Sequence, residues 1–223
     1  MKLIEYDDRD QMMVTLAGVL AGDMNAALAN KEKIGLAVPG GTTPGPIFDA
    51  LASVDLPWDR VTVMLTDERW VPETSDRSNT ALLKARLFQD KAAKADMFSV
   101  YSGAAEPEDS LDDLNATVAP LLPLSVVLLG MGADMHTASM FPGAEGLDAA
   151  LSEDATALLP IRGGGAPEPR ITLSARVLKD AERIHIVITG DEKRAAFERA
   201  QTLPPQEAPV AAILPFATVH WAP

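Results

Sequence analysis

At 223 residues and 23.7 kDa the chain is long enough to bury a sizeable core, and its lack of cysteine excludes a disulfide framework, a thiolate metal site and a cysteine nucleophile. Nineteen basic against 32 acidic residues give a net charge of −13, which argues against sequence-independent nucleic-acid binding, because that needs a basic face. A hydrophobic content of 47% excludes a disordered chain, and no apolar run reaches the roughly 20 residues of a membrane span. The opening MKLIEYDDRD is charged at once and lacks the apolar stretch of a signal peptide. The expectation is a soluble, cytoplasmic, acidic globular protein with neither a nucleic-acid nor a membrane partner.

Residues 2–6 suit a first strand. From Met13, Leu16, Ala17, Leu20, Met24 and Leu28 recur at helical spacing. Ile34–Val38 is a compact apolar run that reads as a buried strand. Pro44 and Pro46 suit the first turn of a helix whose apolar face is Ile47, Phe48 and Leu51. Residues 61–66 are β-branched and strand-like; 78–88 form a helix candidate; Leu111, Leu114 and Val118 mark another before Pro120. Residues 125–129 and Ile184–Thr189 are further apolar strands, the second followed by a helix carrying Phe197 and Ala200. Weaker strand signals lie at 210–214 and 218–221. Continuous apolar strands alternating with helices predict one α/β domain over 1–223, with a mainly parallel sheet covered on both faces. The Gly163, Gly164 and Gly165 run, with Pro167 and Pro169, predicts a flexible loop suited to a lid.

In such sheets ligands bind beyond the carboxyl ends of the strands. There the sequence places Pro39-Gly40-Gly41-Thr42-Thr43-Pro44, Asp67-Glu68-Arg69, Gly130-Met131-Gly132-Ala133-Asp134-Met135-His136, and Gly190-Asp191-Glu192-Lys193. Gly40, Gly41, Thr42 and Thr43 offer backbone N–H groups and hydroxyls to an anion; the bland alternative is a helix cap by Thr43. Gly130-Met131-Gly132 lacks the remainder of a dinucleotide fingerprint. His136, in a glycine-rich loop with Asp134 two residues before it, suits a general base whose ring the carboxylate orients. His185 and His220 sit in apolar runs and read as structural. Lys193 opposes a helix dipole, a cost that an anionic ligand offsets. Arg170 follows the glycine loop and can close over an anion, though Arg162 competes for that role. Asp67 and Arg69 form either a salt-bridged frame or a hydroxyl-binding group, and Asn79 either caps the next helix or joins them.

These residues, in this order, resemble the 6-phosphogluconolactonase family. The diagnostic parts are Gly40-Gly41-Thr42-Thr43-Pro44, Asp67-Glu68-Arg69-Trp70-Val71-Pro72 with Ser78-Asn79, and the 129–143 loop with its His-Thr-Ala-Ser and Phe-Pro-Gly. The resemblance implies a three-layer α/β/α, Rossmann-like fold shared with glucosamine-6-phosphate deaminases. It implies hydrolysis of 6-phospho-D-glucono-1,5-lactone without metal or organic cofactor. His136 is then the base, and Gly40–Thr43 with Arg170 and Lys193 the phosphate contacts. Asp67, Asn79 and Gly132 complete the substrate site, and Arg69 or backbone N–H groups near Gly132 supply the oxyanion donor. The partner is a small phosphorylated sugar lactone, and the chain is a monomer or small homo-oligomer. Pro39 stands where the family often has serine, and Met135 where it commonly has glycine; Met135 is therefore expected in an ordinary backbone conformation. Two rival readings are an amino-sugar-phosphate deaminase of the same fold and a non-catalytic sugar-phosphate-binding regulator.

Overall fold

The computed structural model describes residues 1–165 and 167–223. Among these, parallel strands β1 (Lys2–Glu5), β2 (Ile34–Val38), β3 (Val61–Leu65), β5 (Asp96–Phe98), β6 (Val126–Gly130), β9 (Ile184–Thr189) and β10 (Thr218–Ala222) form one sheet. Its order is β1-β10-β9-β6-β2-β3-β5, so strands near both ends of the sequence are neighbours. From β2 the sheet builds outward through β3 and β5 on one side, and through β6, β9, β10 and β1 on the other. The order therefore reverses between β2 and β6, where a crevice opens beyond the strand ends.

Alternation along the strands assigns side chains to the two faces. Leu36, Val38, Val63, Leu65, Val126 and Leu128 pack with α1 (Arg9–Leu28) and α2 (Gly45–Ala52). Ala37, Met64, Val127, Leu129, Ile186 and Ile188 pack toward α6 (Ala175–Lys179) and α7 (Asp191–Ala200). Most of these are fully buried, each burial of a large apolar side chain contributing about 1.5–3 kcal/mol. Helices on both faces make three layers. The helix read from Met13 onward starts earlier, at Arg9, because Asp8 caps it by accepting from the Gln11 N–H at 2.8 Å.

A second, antiparallel sheet, β4-β8-β7, consists of Asp67–Arg69, Arg170–Leu173 and Leu158–Ile161. The sequence reading had no strand there, since three- and four-residue strands show too little alternation to recognise. The 210–214 strand signal is overturned: Pro209–Ala212 and Leu214–Phe216 are 3₁₀ turns. Pro209 and Pro215 have no N–H to give a ladder, and the apolar run is buried by tertiary packing instead. The expected lid loop spans residue 166, which lies outside the described residues. His185 and His220 are buried on β9 and β10 and hydrogen-bond each other at 3.0 Å. Asp23 of α1 meets His185 Nε2 at 2.9 Å, and the Tyr6 hydroxyl meets His220 Nδ1 at 2.8 Å.

Candidate functional site

A cleft of about 240 Å³ opens at the reversal point of the large sheet. The turn after β2 brings Gly40, Gly41 and Thr43 to it. A Cβ on Gly40 would lie 2.1 Å from Asn79 Cγ, so glycine alone lets this turn lie against that amide. The capping role considered for Thr43 is not seen: Pro44 occupies the N-cap of α2 without a side-chain bond. Thr42 is exposed and does not line the cleft; its carbonyl accepts from the Gly45 N–H at 3.1 Å.

β6 ends in the histidine loop. The Met135 N–H donates to the Gly132 carbonyl and the Gly132 N–H to the His136 carbonyl, both at 3.0 Å, closing a tight turn. That turn folds Asp134 back on His136: Asp134 Oδ1 accepts from the His136 N–H at 3.2 Å and lies 2.5 Å from Nδ1. With Nδ1 tied to the carboxylate, Nε2 is the nitrogen left for the cleft, which His136 lines. Phe141 packs beside the ring, 4.5 Å between centroids. The expectation of an ordinary backbone at Met135 is wrong. Its φ is 67°, because the chain must reverse there to return Asp134 to the imidazole, and Ala138 follows with φ 49°. Each left-handed non-glycine residue costs about 1 kcal/mol or more. The Val210 N–H, donating to the Met135 carbonyl at 3.1 Å, helps hold the turn. The Gly132 N–H is engaged within this turn, which removes it from the possible oxyanion donors.

The small sheet supplies charge. Antiparallel pairing sets Asp67 against Thr172 and Arg69 against Arg170. Arg69 and Arg170 line the cleft, and each has a buried Nε with no hydrogen-bond partner. Arg69 Nη1 donates to the Arg77 carbonyl at 2.6 Å. Burial pushes the Arg170 guanidinium below its usual pKa, an effect that Asp67 opposes. The competing Arg162 is held outside the cleft by Glu106 and Glu108. Lys193, on the first turn of α7, reaches the cleft. Its neighbour Arg194 is engaged by Glu5 and Glu198, whereas Lys193 has no such partner among the described residues.

Asn79 is not the helix cap. Ser78 caps α3 (Asn79–Arg86), accepting from the Ala81 N–H at 3.2 Å. The buried Glu68 carboxylate adds to that cap by accepting the N–H groups of Asn79 at 3.0 Å and Thr80 at 2.7 Å. Asn79 is thereby fixed at the cleft edge, its Oδ1 3.5 Å from Arg69 Nη1. Among the described residues no three His, Asp or Glu side chains gather as a metal site.

Residues 7–221 match the family described as Glucosamine-6-phosphate isomerases/6-phosphogluconolactonase. The chain belongs to this family. A relative named 6-phosphogluconolactonase, from Mesorhizobium japonicum, is 42% identical over 98% of this chain and 94% of its own. The crystal structure of a 6-phosphogluconolactonase from Shewanella baltica superposes with a TM-score of 0.96 at 28% identity, covering 100% of this chain and 98% of that one. A monomeric glucosamine-6-phosphate deaminase shares the fold alone, with a TM-score of 0.81 at 18% identity over 100% of this chain and 97% of that one.

At this cleft the structure brings together all the residues read from sequence except Thr42, with Asp134 joining through His136 rather than by lining the cleft. The reading missed Ser139 and Thr172, both fully buried between the histidine loop and the small sheet. It also missed Glu168, which accepts from Arg77 at 2.6 Å and lies 3.9 Å from Arg69 Nε. Each lies within three residues of a predicted site residue, but its hydrogen-bond partner is far away in the chain, so spacing alone gives it no role.

Proposed function

We propose that this cleft hydrolyses 6-phospho-D-glucono-1,5-lactone to 6-phosphogluconate, the lactone-opening step of the oxidative pentose phosphate pathway. The carrying observation is an imidazole fixed by a carboxylate at 2.5 Å, lining one cleft with two guanidinium groups that each have an unpaired buried Nε. An unpaired buried donor is costly, and an anionic ligand relieves that cost. Arg170 and Lys193, with the N–H groups of the Gly40–Thr43 turn, hold the phosphate. The protein's net charge of −13 repels a phosphorylated substrate, so this local cluster of cations and N–H dipoles offsets the wider field.

His136 Nε2 takes a proton from water as the water oxygen bonds to C1 of the lactone. Asp134 holds the Nδ1 proton and stabilises the imidazolium. Arg69 faces the oxyanion that develops on the carbonyl oxygen. When the tetrahedral intermediate collapses, the C1–ring-oxygen bond breaks and the imidazolium returns its proton to the leaving ring oxygen. The new carboxylic acid then ionises and releases one proton to solvent. The chemistry needs no metal or organic cofactor, and the whole chain acts as one unit.

The deaminase alternative has less support. The segment after the histidine loop, Met140-Phe141-Pro142-Gly143, offers no carboxylate, and Met140 and Phe141 are buried in the core. Proton release from freshly made lactone, corrected for spontaneous hydrolysis and run with excess chelator, tests the reading. Turnover of lactone without ammonia release from glucosamine 6-phosphate is expected. Ammonia release, or sugar-phosphate binding without turnover, overturns it.

A further inference from the structure

Ser139 lies three residues beyond His136 and is fully buried. Its hydroxyl donates to Asp67 Oδ2 at 2.6 Å and accepts from Arg170 Nη1 at 3.4 Å. Its N–H donates to Thr172 Oγ1 at 3.3 Å, so the residue is fastened to β8 by backbone as well as side chain. Asp67 Oδ2 and Arg170 Nη1 are 3.8 Å apart, well beyond the ~2.7–2.9 Å of a direct charge-assisted hydrogen bond. Asp67 Oδ1 accepts from the Thr66 hydroxyl at 3.1 Å. Arg170 therefore feels the charge of the buried carboxylate but hydrogen-bonds to it only through the serine oxygen. Its Nε has no partner, and its guanidinium carbon is 5.0 Å from the Phe141 ring centre.

We infer that Ser139 is a positioning residue that acts as a spacer: its hydroxyl satisfies Asp67 and stops Arg170 from collapsing onto that carboxylate, leaving the guanidinium available to the anionic group of the substrate. The inference rests on the reading that Arg170 binds that anion. The physical reason is competition. A buried carboxylate with an unsatisfied oxygen draws in the nearest donor. Without the hydroxyl, Arg170 need move only about 1 Å to reach direct hydrogen-bond distance. Paired in that way, the guanidinium turns donors away from the cleft, and its charge is cancelled where the ligand's negative charge must sit. The hydroxyl also ties the histidine loop to the small sheet, so one side chain sets the distance between the base and the anion anchor.

The test measures 6-phosphogluconate affinity by calorimetry, together with kcat, KM and Tm, for wild type and the variants S139A, R170A, D67N and S139A/D67N. S139A is expected to raise Kd and KM at least about tenfold, the scale of one charge-assisted hydrogen bond, with kcat within about threefold of wild type. In the D67N background the same change is expected to cost less than about threefold, because a neutral amide does not capture the guanidinium. A protein whose fold was merely loosened would not show that coupling. If R170A weakens binding and S139A does not, the spacer role is overturned while the anion reading stands. If R170A binds like wild type, the anion reading falls, and the spacer role falls with it. Equal losses from S139A in both backgrounds overturn the spacer role as well. Should S139A not fold, S139C, which keeps the shape but offers Asp67 only a weak S–H donor, takes its place in both backgrounds: a loss confined to the Asp67 background supports the spacer, and wild-type affinity or equal losses in both overturn it.

Discussion

Gly132→Ala is the smallest change that strikes the His136–Asp134 pair directly. Gly132 does not hold a left-handed φ, so alanine carries no backbone strain there. The added Cβ, however, would lie 2.3 Å from His136 Nδ1 and 2.4 Å from Asp134 Oδ1. Non-bonded heavy atoms attract at about 3.5–4.0 Å, so one or both side chains must retreat by about 1 Å. Either retreat breaks the 2.5 Å pair: the Asp134 side chain is 51% exposed, and the imidazole, 31% exposed, has the cleft to swing into. A displacement of about 1 Å at a reacting group costs on the order of 10²-fold in rate. That loss corresponds to about 2.7 kcal/mol of transition-state stabilisation. Because the retreat is into open space, the core stays intact, and Tm should change by less than about 4 °C, the shift that about 1 kcal/mol produces in a chain this long. The assay is kcat by proton release from fresh lactone, with Tm and 6-phosphogluconate affinity measured on the same preparation. A folded Gly132→Ala protein that keeps kcat within threefold of wild type would refute the claim that the His136–Asp134 geometry governs turnover.

His136→Ala should lower kcat by about 10²–10⁴ while product affinity holds; near-wild-type turnover in a folded variant removes His136 as the base. Arg170→Ala and Lys193→Ala should each weaken 6-phosphogluconate binding by about 1.5–3 kcal/mol with a smaller effect on kcat; unchanged calorimetric affinity in both shows the anchor is misassigned. Burial, with His185 and Lys2 adding, pushes the His220 pKa down to about 4, and burial also lowers that of His185. The unfolded chain thus binds protons that the folded chain refuses. Stability should fall as pH drops from about 6.5 toward 4, by up to about 1.4 kcal/mol per pH unit for His220, with His185 adding in the same direction. Tm measured across that range should decline, and less steeply in His220→Gln; a flat wild-type profile contradicts the buried neutral pair.

Much of the fold was legible because buried parallel strands are written as apolar runs and amphipathic helices as 3.6-residue periods. Ile34–Val38 and Ile184–Thr189 appear in the structure with the bounds read from sequence. The strands that escaped, Asp67–Arg69, Asp96–Phe98, Leu158–Ile161 and Arg170–Leu173, are three or four residues long, too short for a period to emerge. Residues 210–214 misled because burial alone makes a segment apolar, whatever its backbone does. The sequence by itself determined which chemistries gather at the sheet edge: strand ends followed by Gly40–Thr43, Asp67–Arg69, Asp134–His136 and Lys193 must meet there if the sheet is parallel. It could not decide between Arg162 and Arg170, whether Asn79 caps a helix, or what backbone Met135 adopts. Those outcomes depend on partners far away in the chain. Glu106 and Glu108 take Arg162. Ser78 and Glu68 take the cap. The closure of Asp134 onto His136 imposes φ 67° on a methionine. Periodicity and turn chemistry are local and can be read along the chain, whereas competition for a hydrogen bond or a counter-charge is settled between segments that only the folded structure makes neighbours.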